Sequence, residues 1–447
     1  MNRRDWLVAC GRLAGGAAVG LSVPGCDAPP DLEQAPIEID IDGPVTALPP
    51  RYLAATFEPR EDSAIAWLAA SSPTAAHVEL LVEGELEPTR VAEVELTPEA
   101  GLVAAVRLGG LVPDTRYRHR AFFQGAGYGP WLRFRTAPEI DALAPVSFLF
   151  SADVGIHPEL EPTYRMLAAE RVPFYLHLGD WPYADKAPAA RSIGEFRQRH
   201  REVREPYAIQ EWLWSTPLVP IYDDHDVREN WAGKELAARD PELLASGLAV
   251  WREYFPLTGD TAFREFRWGK LAHFFVVDTR RYRDRRDPRR EYWELLGDPQ
   301  LDWLTETLAG SDAAFKILCS SVPFGFDGYE YDDWSSFLTD RGRVLRVVRE
   351  RGIDPLIVLS ADRHWFAARH LEDGVREYQV GPLTAGLGRY PDSFPPDVVA
   401  SALARNCGRI DIEADLEWGV ARLSFTCLRT DGSVIFSEDA QAPLPPA

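Results

Sequence analysis

The sequence predicts an α/β domain that is preceded by a smaller all-β domain. Between residues 44 and 138, short runs such as SAIAWLAAS and GLVAAVRL alternate with turn residues, which is typical of an antiparallel β-sandwich. After residue 144, continuous apolar runs such as VSFLFSAD and PLIVLSADRH alternate with longer helical segments. Continuous apolar runs are typical of central strands that are covered on both faces. Residues 145–440 are therefore predicted to form the α/β domain.

Length and charge limit the class of protein. The chain has 447 residues, which is enough for two domains with a sizeable core. Its formal charge of −21 argues against nucleic-acid binding, because phosphate backbones are bound by basic surfaces. A small substrate that contains phosphate is compatible with this charge, since bound metal ions reverse the local field.

Residues 1–26 resemble an export signal and are not expected to join the fold. The Arg3-Arg4 pair precedes an apolar run that is too short for a good transmembrane helix, as in a Tat signal. The sequence VPGC, which ends at Cys26, resembles a bacterial lipobox; a plain secretory signal is the alternative. Residues 27–43 are acidic and proline-rich and are predicted to be a tether. We expect an exported protein of the periplasm or cell envelope, held at a membrane by a lipid anchor if Cys26 is acylated.

The smaller domain has features of a known module. The stretch GLVPDTRYRHR, followed later by FRTAP, resembles the late strands of a fibronectin type III-like module. Tyr117 would then be the corner tyrosine of that module. His77 and His119 are interpreted as solvated strand residues, so this domain carries no convincing chemical cluster.

The five cysteines do not indicate a disulfide framework. Cys10 and Cys26 belong to the predicted signal, and Cys319 lies in an apolar strand pattern that is typical of a small core residue. A bridge between Cys407 and Cys427 is open, although no spacing requires it.

Four predicted strands of the larger domain end in acidic or histidine residues. The ends carry Asp153, then Asp180 with Tyr183, then the run Asp223-Asp224-His225-Asp226, then Asp362 with His364. In open α/β sheets ligands bind beyond the carboxyl ends of the strands, so these side chains should meet. Gathered carboxylates would repel one another unless cations held them. Two cations that share a carboxylate make a site for in-line attack on a phosphorus ester.

Interpretations without a metal site stay open. A Gly-Asp after a strand is common, so the alternative for the whole set of strand ends is ordinary caps and turns. The basic run Arg280–Arg290 is either a solvated loop with acidic partners or a cleft wall that attracts an anionic substrate. His177 and His273 lie within apolar runs and are interpreted as core residues.

The order of these motifs resembles that of the calcineurin-like metallophosphoesterases. Finer features resemble the alkaline phosphatase D family within that superfamily: LHLGDWPY, YDDHDVRENWAG, FFVVDTRRYR and IVLSADRHW. The resemblance covers nearly the whole chain, including the Tat signal and the N-terminal β-sandwich. It implies a four-layer α/β/β/α metallophosphoesterase sandwich.

The resemblance also implies a metal site with Fe³⁺ beside a divalent ion such as Ca²⁺. By position, the first metal would be bound by Asp153 and His364, with Tyr183 as a phenolate ligand of the iron. Asp180 would bridge both metals, and the second would be bound by Asp224 and Asp362. His225 would donate a proton near the leaving oxygen. Arg363 and Asn230 would contact phosphate oxygens.

Two departures from the family pattern are visible. The family usually has a cysteine where Asp153 stands, and loss of this softer ligand makes Zn or Mn plausible in place of iron. The C-terminal helix that caps the family's site is not expected, because the tail AQAPLPPA is rich in proline. The site is therefore expected to be more open, which favours bulkier esters.

These observations predict an exported, metal-dependent phosphoesterase of the alkaline phosphatase or phosphodiesterase kind. It would hydrolyse phosphomonoesters or phosphodiesters by metal-hydroxide attack, without a covalent intermediate, since no serine or threonine nucleophile with a paired base is visible. One alternative is phospholipase D-like action on phospholipid headgroups. Another is a non-catalytic cell-surface binding protein.

Overall fold

The computed structural model describes residues 52–155, 161–285, 293–325 and 332–445. The predicted signal and tether, including Cys26, lie outside these residues. Within the described ranges, none of the helices combines the length and the apolar character that a membrane crossing requires.

The described residues form 21 strands and seven α-helices. The strands are β1 Tyr52–Phe57, β2 Ser63–Ala70, β3 Thr74–Val82, β4 Thr89–Leu96, β5 Val103–Gly109, β6 Arg116–Phe123, β7 Gly127–Tyr128, β8 Leu132–Arg135, β9 Val146–Ser151, β10 Tyr175–His177, β11 Leu218–Pro220, β12 Arg264–Trp268, β13 Ala272–Val276, β14 Phe315–Cys319, β15 Leu356–Ser360, β16 Phe366–His370, β17 Arg376–Gln379, β18 Val398–Ala402, β19 Asn406–Asp415, β20 Val420–Arg429 and β21 Val434–Pro443. The helices are α1 Glu161–Ala169, α2 Ile193–Glu202, α3 Tyr207–Ser215, α4 Gly233–Arg239, α5 Pro241–Tyr254, α6 Gly297–Gly310 and α7 Leu338–Arg351.

Two large sheets form the centre of the molecule. The first has nine strands in the order β21-β20-β19-β9-β10-β11-β1-β2-β5, with β9, β10 and β11 parallel. The second has seven strands in the order β12-β13-β14-β15-β17-β16-β18, with β13, β14, β15 and β17 parallel. Parallel neighbours bring their carboxyl ends to one edge of each sheet, which is where the acidic motifs were predicted to meet.

The sheets pack face to face, and helices cover both outer faces. Phe148 of β9 packs against Phe274 of β13 with ring centroids 5.1 Å apart, whereas Tyr175 of β10 turns outward to Trp212 of α3 at 4.9 Å. Alternate residues of the second sheet, such as Phe275 of β13, pack into a separate buried cluster with α6 and α7. Both faces of each central strand are therefore buried, which explains the continuous apolar runs. The predicted four-layer α/β/β/α sandwich is confirmed.

The all-β region is present, but three of its strands belong to the large first sheet of the α/β region. Strands β4, β3, β6, β7 and β8 form one sheet, which packs against β1, β2 and β5. Those three strands belong to the nine-stranded sheet, because β1 pairs with β11 in parallel at Phe57 and Leu218. The described residues form one compact unit. The predicted boundary between residues 138 and 145 stays a prediction.

The contacts of Tyr117 and His119 decide between the interpretations of these two residues of the all-β region. The Tyr117 hydroxyl accepts a hydrogen bond from the backbone N–H of Val112 at 2.9 Å, which is the contact of a corner tyrosine. His119 is fully buried beside Thr56, and burial lowers its pKa to about 3. The interpretation of His119 as a solvated residue is therefore wrong, because its strand faces the sheet of β1 and β2.

The interpretation of His177, His273 and Cys319 as core residues is confirmed. His177 and His273 are buried, and burial lowers the pKa of both. Cys319, Cys407 and Cys427 are buried and free, so the last two form no bridge. The C-terminal strand β21 lies at the edge of the first sheet.

The corner tyrosine generates a stability prediction. Tyr117→Phe removes the hydrogen bond to Val112 and is expected to lower the free energy of unfolding by about 1 kcal/mol. Thermal and denaturant unfolding measure this change. Tyr207→Phe, on an exposed tyrosine, is the control and should shift it by less than about 0.5 kcal/mol. Equal effects of the two substitutions would contradict the assigned role of Tyr117.

Candidate metal centre

The predicted strand ends do meet, where the two sheets come together. Asp153 follows β9, Asp180 follows β10, Asp224 follows β11 and Asp362 follows β15. Asp153, Asp180 and Asp362 have φ values of 60°, 60° and 76°, as does His364 with 60°. Residues other than glycine rarely adopt this left-handed region, and such strain is concentrated at functional sites. These four residues therefore keep an unfavourable backbone conformation that directs their side chains toward one another.

The first group of ligand atoms belongs to Asp153, Asp180 and His364, whose atoms lie within 4.8 Å of one another. The Tyr183 hydroxyl lies 2.9 Å from Nε2 of His364. Nδ1 of His364 donates a hydrogen bond to the Gly386 carbonyl at 2.5 Å. Since the proton is held on Nδ1, Nε2 presents its lone pair to the group, as in metal-binding histidines.

The second group overlaps the first. Asp180, Asp224 and His225 form one set of ligand atoms within 4.8 Å, and Asp223, Asp224 and Asp362 form another. Asp180 belongs to the first group and to one of these sets, so its carboxylate is shared by the two groups. The structure therefore brings together all six residues that were predicted as metal ligands: Asp153, Asp180, Tyr183, Asp224, Asp362 and His364.

The electrostatics of the site favour bound cations. Burial, together with the charges of Asp224 and Asp223, raises the pKa of Asp180 well above its ordinary value. Burial raises the pKa of Asp153 to about 6, and neither of its buried oxygens has a hydrogen-bond partner among the described residues. Burial also raises the pKa of Tyr183 well above 10. Carboxylates that are desolvated and unpaired in this way are stabilised by a metal ion.

A glycine keeps the space around Asp153 open. Gly381, at the end of β17, has a φ of 97°, and a Cβ there would lie 2.4 Å from Oδ2 of Asp153. The oxygen and nitrogen donors of this group suit a hard or borderline cation. Asp153 thus offers a carboxylate to the first group, and the residues of this group fit a metal ion.

The residue that holds His225 is Asp185, which no sequence motif had indicated. Nδ1 of His225 donates to the Asp185 carboxylate at 2.9 Å, and Asp185 also accepts from the backbone N–H of Glu229 at 2.7 Å. Burial lowers the pKa of His225, but the bond to Asp185 and the charge of Asp224 outweigh it and raise the pKa to about 9. His225 is therefore protonated at neutral pH and can donate from Nε2.

A buried arginine network supports the second group. Arg280 is fully buried; it donates to Asp223 and pairs with both oxygens of Asp332 at 2.7 and 3.2 Å. Its Nη2 lies 3.6 Å from Asp362 and 3.9 Å from Asp224. The interpretation of the basic run as a solvated loop is wrong for Arg280 and for the equally buried Arg283; residues 286–290 lie outside the described ranges.

Arg363 and Asn230, which were predicted to contact phosphate, contact other residues of the protein in this structure. Arg363 lies 2.8 Å from Asp362 and 3.7 Å from Asp332. Asn230 is exposed, its side chain donates to Glu229, and its backbone N–H donates to Asp224 at 2.6 Å. Asn230 thus supports a ligand through its backbone, and contact of either residue with phosphate stays a prediction.

A further residue outside the predicted set is Asp226, which organises the backbone behind the site. Its carboxylate accepts hydrogen bonds from the backbone N–H groups of Asp180, Trp181 and Asp223. The DDHD run contained this signal, because adjacent strand ends need a shared acceptor when their turns leave N–H groups unpaired. Asp185 had no comparable signal, since it lies in an ordinary polar turn.

The four-layer fold and its acidic strand ends define a fold of the metallophosphoesterase kind. The family model described as PhoD-like phosphatase matches residues 159–393, and the chain belongs to this family. Alkaline phosphatase D of Bacillus subtilis (strain 168) is 26% identical over 320 residues, which cover 60% of this chain. The match spans only 54%, about half, of that relative's length.

Two solved structures share the fold. The structure of PhoD superimposes with a TM-score of 0.74 at 19% identity, covering 89% of this chain and 90% of PhoD. Purple acid phosphatase PPD1 from yellow lupin seeds gives a TM-score of 0.65 at 14% identity, covering 87% of this chain and 74% of the lupin protein.

The raised carboxyl pKa values predict a pH-dependent effect of cations on stability. The pKa of Asp153 is about 6 in the fold against an ordinary 3.8, so its ionisation costs stability as the pH rises through that interval. Metal-free protein should therefore lose stability through this group mainly between about pH 4 and pH 6, so that the full cost is present at pH 8 and only part of it at pH 5. Added Mn²⁺ or Zn²⁺ should raise Tm more at pH 8 than at pH 5. A larger Tm rise at pH 5 would contradict the cation assignment.

The Asp185 contact predicts a change in the pH profile. Asp185→Asn removes the charge that raises the pKa of His225, so the alkaline limb of kcat should move from about pH 9 toward the ordinary histidine value. At pH 8 kcat should fall about ten- to a hundredfold, more for esters with poor leaving groups. Glu229→Gln is the control, because its exposed carboxylate lies 3.6 Å from Nε2 and is screened by water. An unchanged alkaline limb in Asp185→Asn would argue against His225 as the proton donor.

Proposed function

We propose that this protein is a metal-dependent phosphoesterase, which hydrolyses phosphate esters at a site for two cations. The observation that carries the proposal is the overlap of the two ligand groups at Asp180. A carboxylate shared in this way is the arrangement that holds two cations close enough to act on one phosphoryl group. Membership of the PhoD-like phosphatase family and the alkaline phosphatase D relative support the same chemistry.

The residues of the chain have separate roles in this proposal. Bound cations would neutralise the phosphoryl oxygens and activate water without a covalent intermediate. Asp153, Asp180 and His364 would hold one cation, and Asp224 and Asp362 the other. His225, held by Asp185, would give its Nε2 proton to the oxygen of the leaving alcohol.

The identity of the cations is part of the proposal. Tyr183 is the residue that favours Fe³⁺ in the first position, because a trivalent ion lowers the pKa of a phenol that burial otherwise raises. A divalent ion such as Ca²⁺ suits the second position, where the groups within reach are mostly carboxylates. Asp153 in place of a thiolate leaves Zn and Mn as chemical alternatives in the first position.

We also propose that the protein is exported and held at a membrane by its N-terminus. This rests on Arg3-Arg4 and on the lipobox-like sequence that ends at Cys26. Mass spectrometry of protein purified from the membrane fraction should find a diacylglycerol-modified Cys26 as the first residue. An unmodified mature N-terminus elsewhere in the chain would support the plain secretory signal.

The first experiment measures hydrolysis of p-nitrophenyl phosphate and bis-p-nitrophenyl phosphate, together with the metal content of the same sample. The wild-type protein is expected to hydrolyse at least one of these esters. Asp180→Asn should lose activity by more than about a hundredfold and should hold less metal, because the shared carboxylate is lost. Asp260→Asn, on an exposed loop, is the control and should match the wild type in both measurements.

Each outcome decides between the candidate functions. If folded, metal-loaded protein hydrolyses neither ester, the hydrolase proposal fails and a non-catalytic binding protein becomes the better interpretation. If it releases headgroups from phosphatidylcholine vesicles faster than it hydrolyses the soluble esters, phospholipase-like action is favoured instead.

A further inference from the structure

The edge of the first sheet that lies opposite the metal centre is the edge where β9, β10 and β11 begin, and we call it the basal edge. Strand β19 runs antiparallel to β9, with Ile412 beside Val146, the first residue of β9. It continues past that residue to Asp415, where the β19–β20 hairpin turns back. The hairpin tip therefore projects from the basal edge. At about 3.3 Å per residue along β19 and β9, it lies roughly 30 Å from Asp153.

Two large apolar side chains are exposed at this hairpin tip. Leu416 is 74% exposed and Trp418 is 72% exposed. The backbone that carries them is held in place, because the N–H of Trp418 donates to the Asp415 carboxylate at 3.1 Å and Asp415 pairs with Arg422 at 2.8 Å. Tryptophan is mostly buried in folded proteins, so one exposed to this extent beside an exposed leucine marks a contact surface.

Further apolar residues lie at the basal edge. Ile140 and Leu143 belong to the segment that leads into β9, and they are 46% and 39% exposed. The carbonyl of Ala142 in this segment accepts a hydrogen bond of 2.8 Å from the backbone N–H of Lys270, which lies between β12 and β13. The segment is thereby tied to the beginning of β13 in the second sheet. The exposed apolar side chains are thus distributed along the edge rather than confined to one turn.

The N-terminal part of the chain enters the fold at the same edge. Strand β1 pairs with β11 in parallel, with Phe57 beside Leu218, the first residue of β11. Tyr52, at the start of β1, therefore lies beyond the start of β11, on the basal side. Residues 27–51 separate Tyr52 from Cys26 and can span at most about 85 Å even when fully extended. A link of this length brings the fold to a membrane but does not set its orientation.

We propose that the basal edge lies on a lipid bilayer, with Leu416 and Trp418 inserted at the interface, so that the metal centre faces the aqueous phase. This rests on the proposed function, namely export with an N-terminal membrane anchor. Tryptophan and leucine on an exposed tip are side chains that enter the headgroup boundary of a bilayer. A tether raises the effective concentration of the membrane, so a contact of two side chains suffices where a free protein would dissociate.

The charges at the basal edge identify the kind of contact. Asp141 and Glu417 are exposed among the apolar residues, and acidic side chains are not attracted to anionic lipids. The contact is therefore apolar insertion and does not depend on lipid charge. With the hairpin tip in the bilayer, the metal centre stands roughly 30 Å above the headgroups, since the strands of β9 and β19 separate the two. The substrates that reach it are then soluble esters, and the headgroups of the same membrane are out of reach.

The test places a fluorophore on Glu417→Cys, between the two apolar side chains. Acylated full-length protein is reconstituted in phosphatidylcholine vesicles, with and without a lipid that carries a nitroxide on its acyl chain. Cys319, Cys407 and Cys427 are buried, so the reagent reaches the introduced thiol selectively. We expect the nitroxide lipid to quench this fluorophore at least about threefold, because interfacial side chains lie within about 5–10 Å of the headgroup boundary.

The matched control is Leu403→Cys. Leu403 is 44% exposed and precedes β19 at its other end, on the side of the metal centre, so a fluorophore there should not be quenched. Combining Leu416→Ser and Trp418→Ser with Glu417→Cys should abolish the quenching, although the protein still floats with the vesicles. Trp418→Phe keeps an apolar ring and should preserve the quenching. All variants should retain the Tm, the metal content and the hydrolysis of soluble p-nitrophenyl phosphate of the wild type.

The outcomes separate this contact from the proposed function. If the protein floats with the vesicles but the fluorophore at position 417 is not quenched, or the one at position 403 is quenched equally, the orientation is wrong and the anchoring proposal stands. A change at position 417 that appears without vesicles and grows with protein concentration would assign the edge to a second copy of the chain and overturn the membrane contact. If Cys26 carries no acyl group and the protein does not float, the anchoring proposal fails and the contact fails with it.

Discussion

Repulsion between carboxylates at one sheet edge is the constraint on which the arrangement of the site depends. Asp153, Asp180 and Asp224 are buried, and Asp362 is partly buried beside them. Taking one carboxylate out of water costs several kcal/mol, and like charges add to that cost. The raised pKa values of Asp153, Asp180 and Asp362 express this cost in the protein without cations. A cation bound between these carboxylates would remove this free-energy cost, so metal binding would increase the stability of the folded protein.

The fold supplies positive charge to only one side of this cluster. Arg280 pairs with Asp223 and Asp332 and lies close to Asp224 and Asp362, whereas Asp153 has no arginine within ion-pair distance among the described residues. The three guanidinium groups of Arg280, Arg283 and Arg363 lower the pKa of Asp332 despite its burial. One part of the cluster is therefore compensated by arginines of the protein itself, whereas no arginine compensates Asp153 among the described residues.

The two histidines of the site follow one structural rule. His364 has Nδ1 on a backbone carbonyl, and His225 has Nδ1 on the Asp185 carboxylate, so each presents Nε2 to the site. The difference between the partners decides the chemistry. A neutral carbonyl leaves a lone pair that can bind a metal, whereas a carboxylate raises the pKa and keeps a proton that can be donated.

The sequence by itself determined the layers of the fold and most of the acidic and histidine side chains that meet at one sheet edge. Continuous apolar runs, each ending in Asp or His, sufficed to predict buried parallel strands and carboxylates that meet at one edge. Local patterns report which face a strand buries and how it ends. They do not report partners that are distant along the chain. Three features were decided by tertiary structure: the pairing of β1 with β11, the burial of Arg280 beside Asp223 and Asp224, and the contact of Asp185 with His225. Each depends on two segments brought together by sheet order, and the side chains in these segments are ordinary for exposed turns when taken alone.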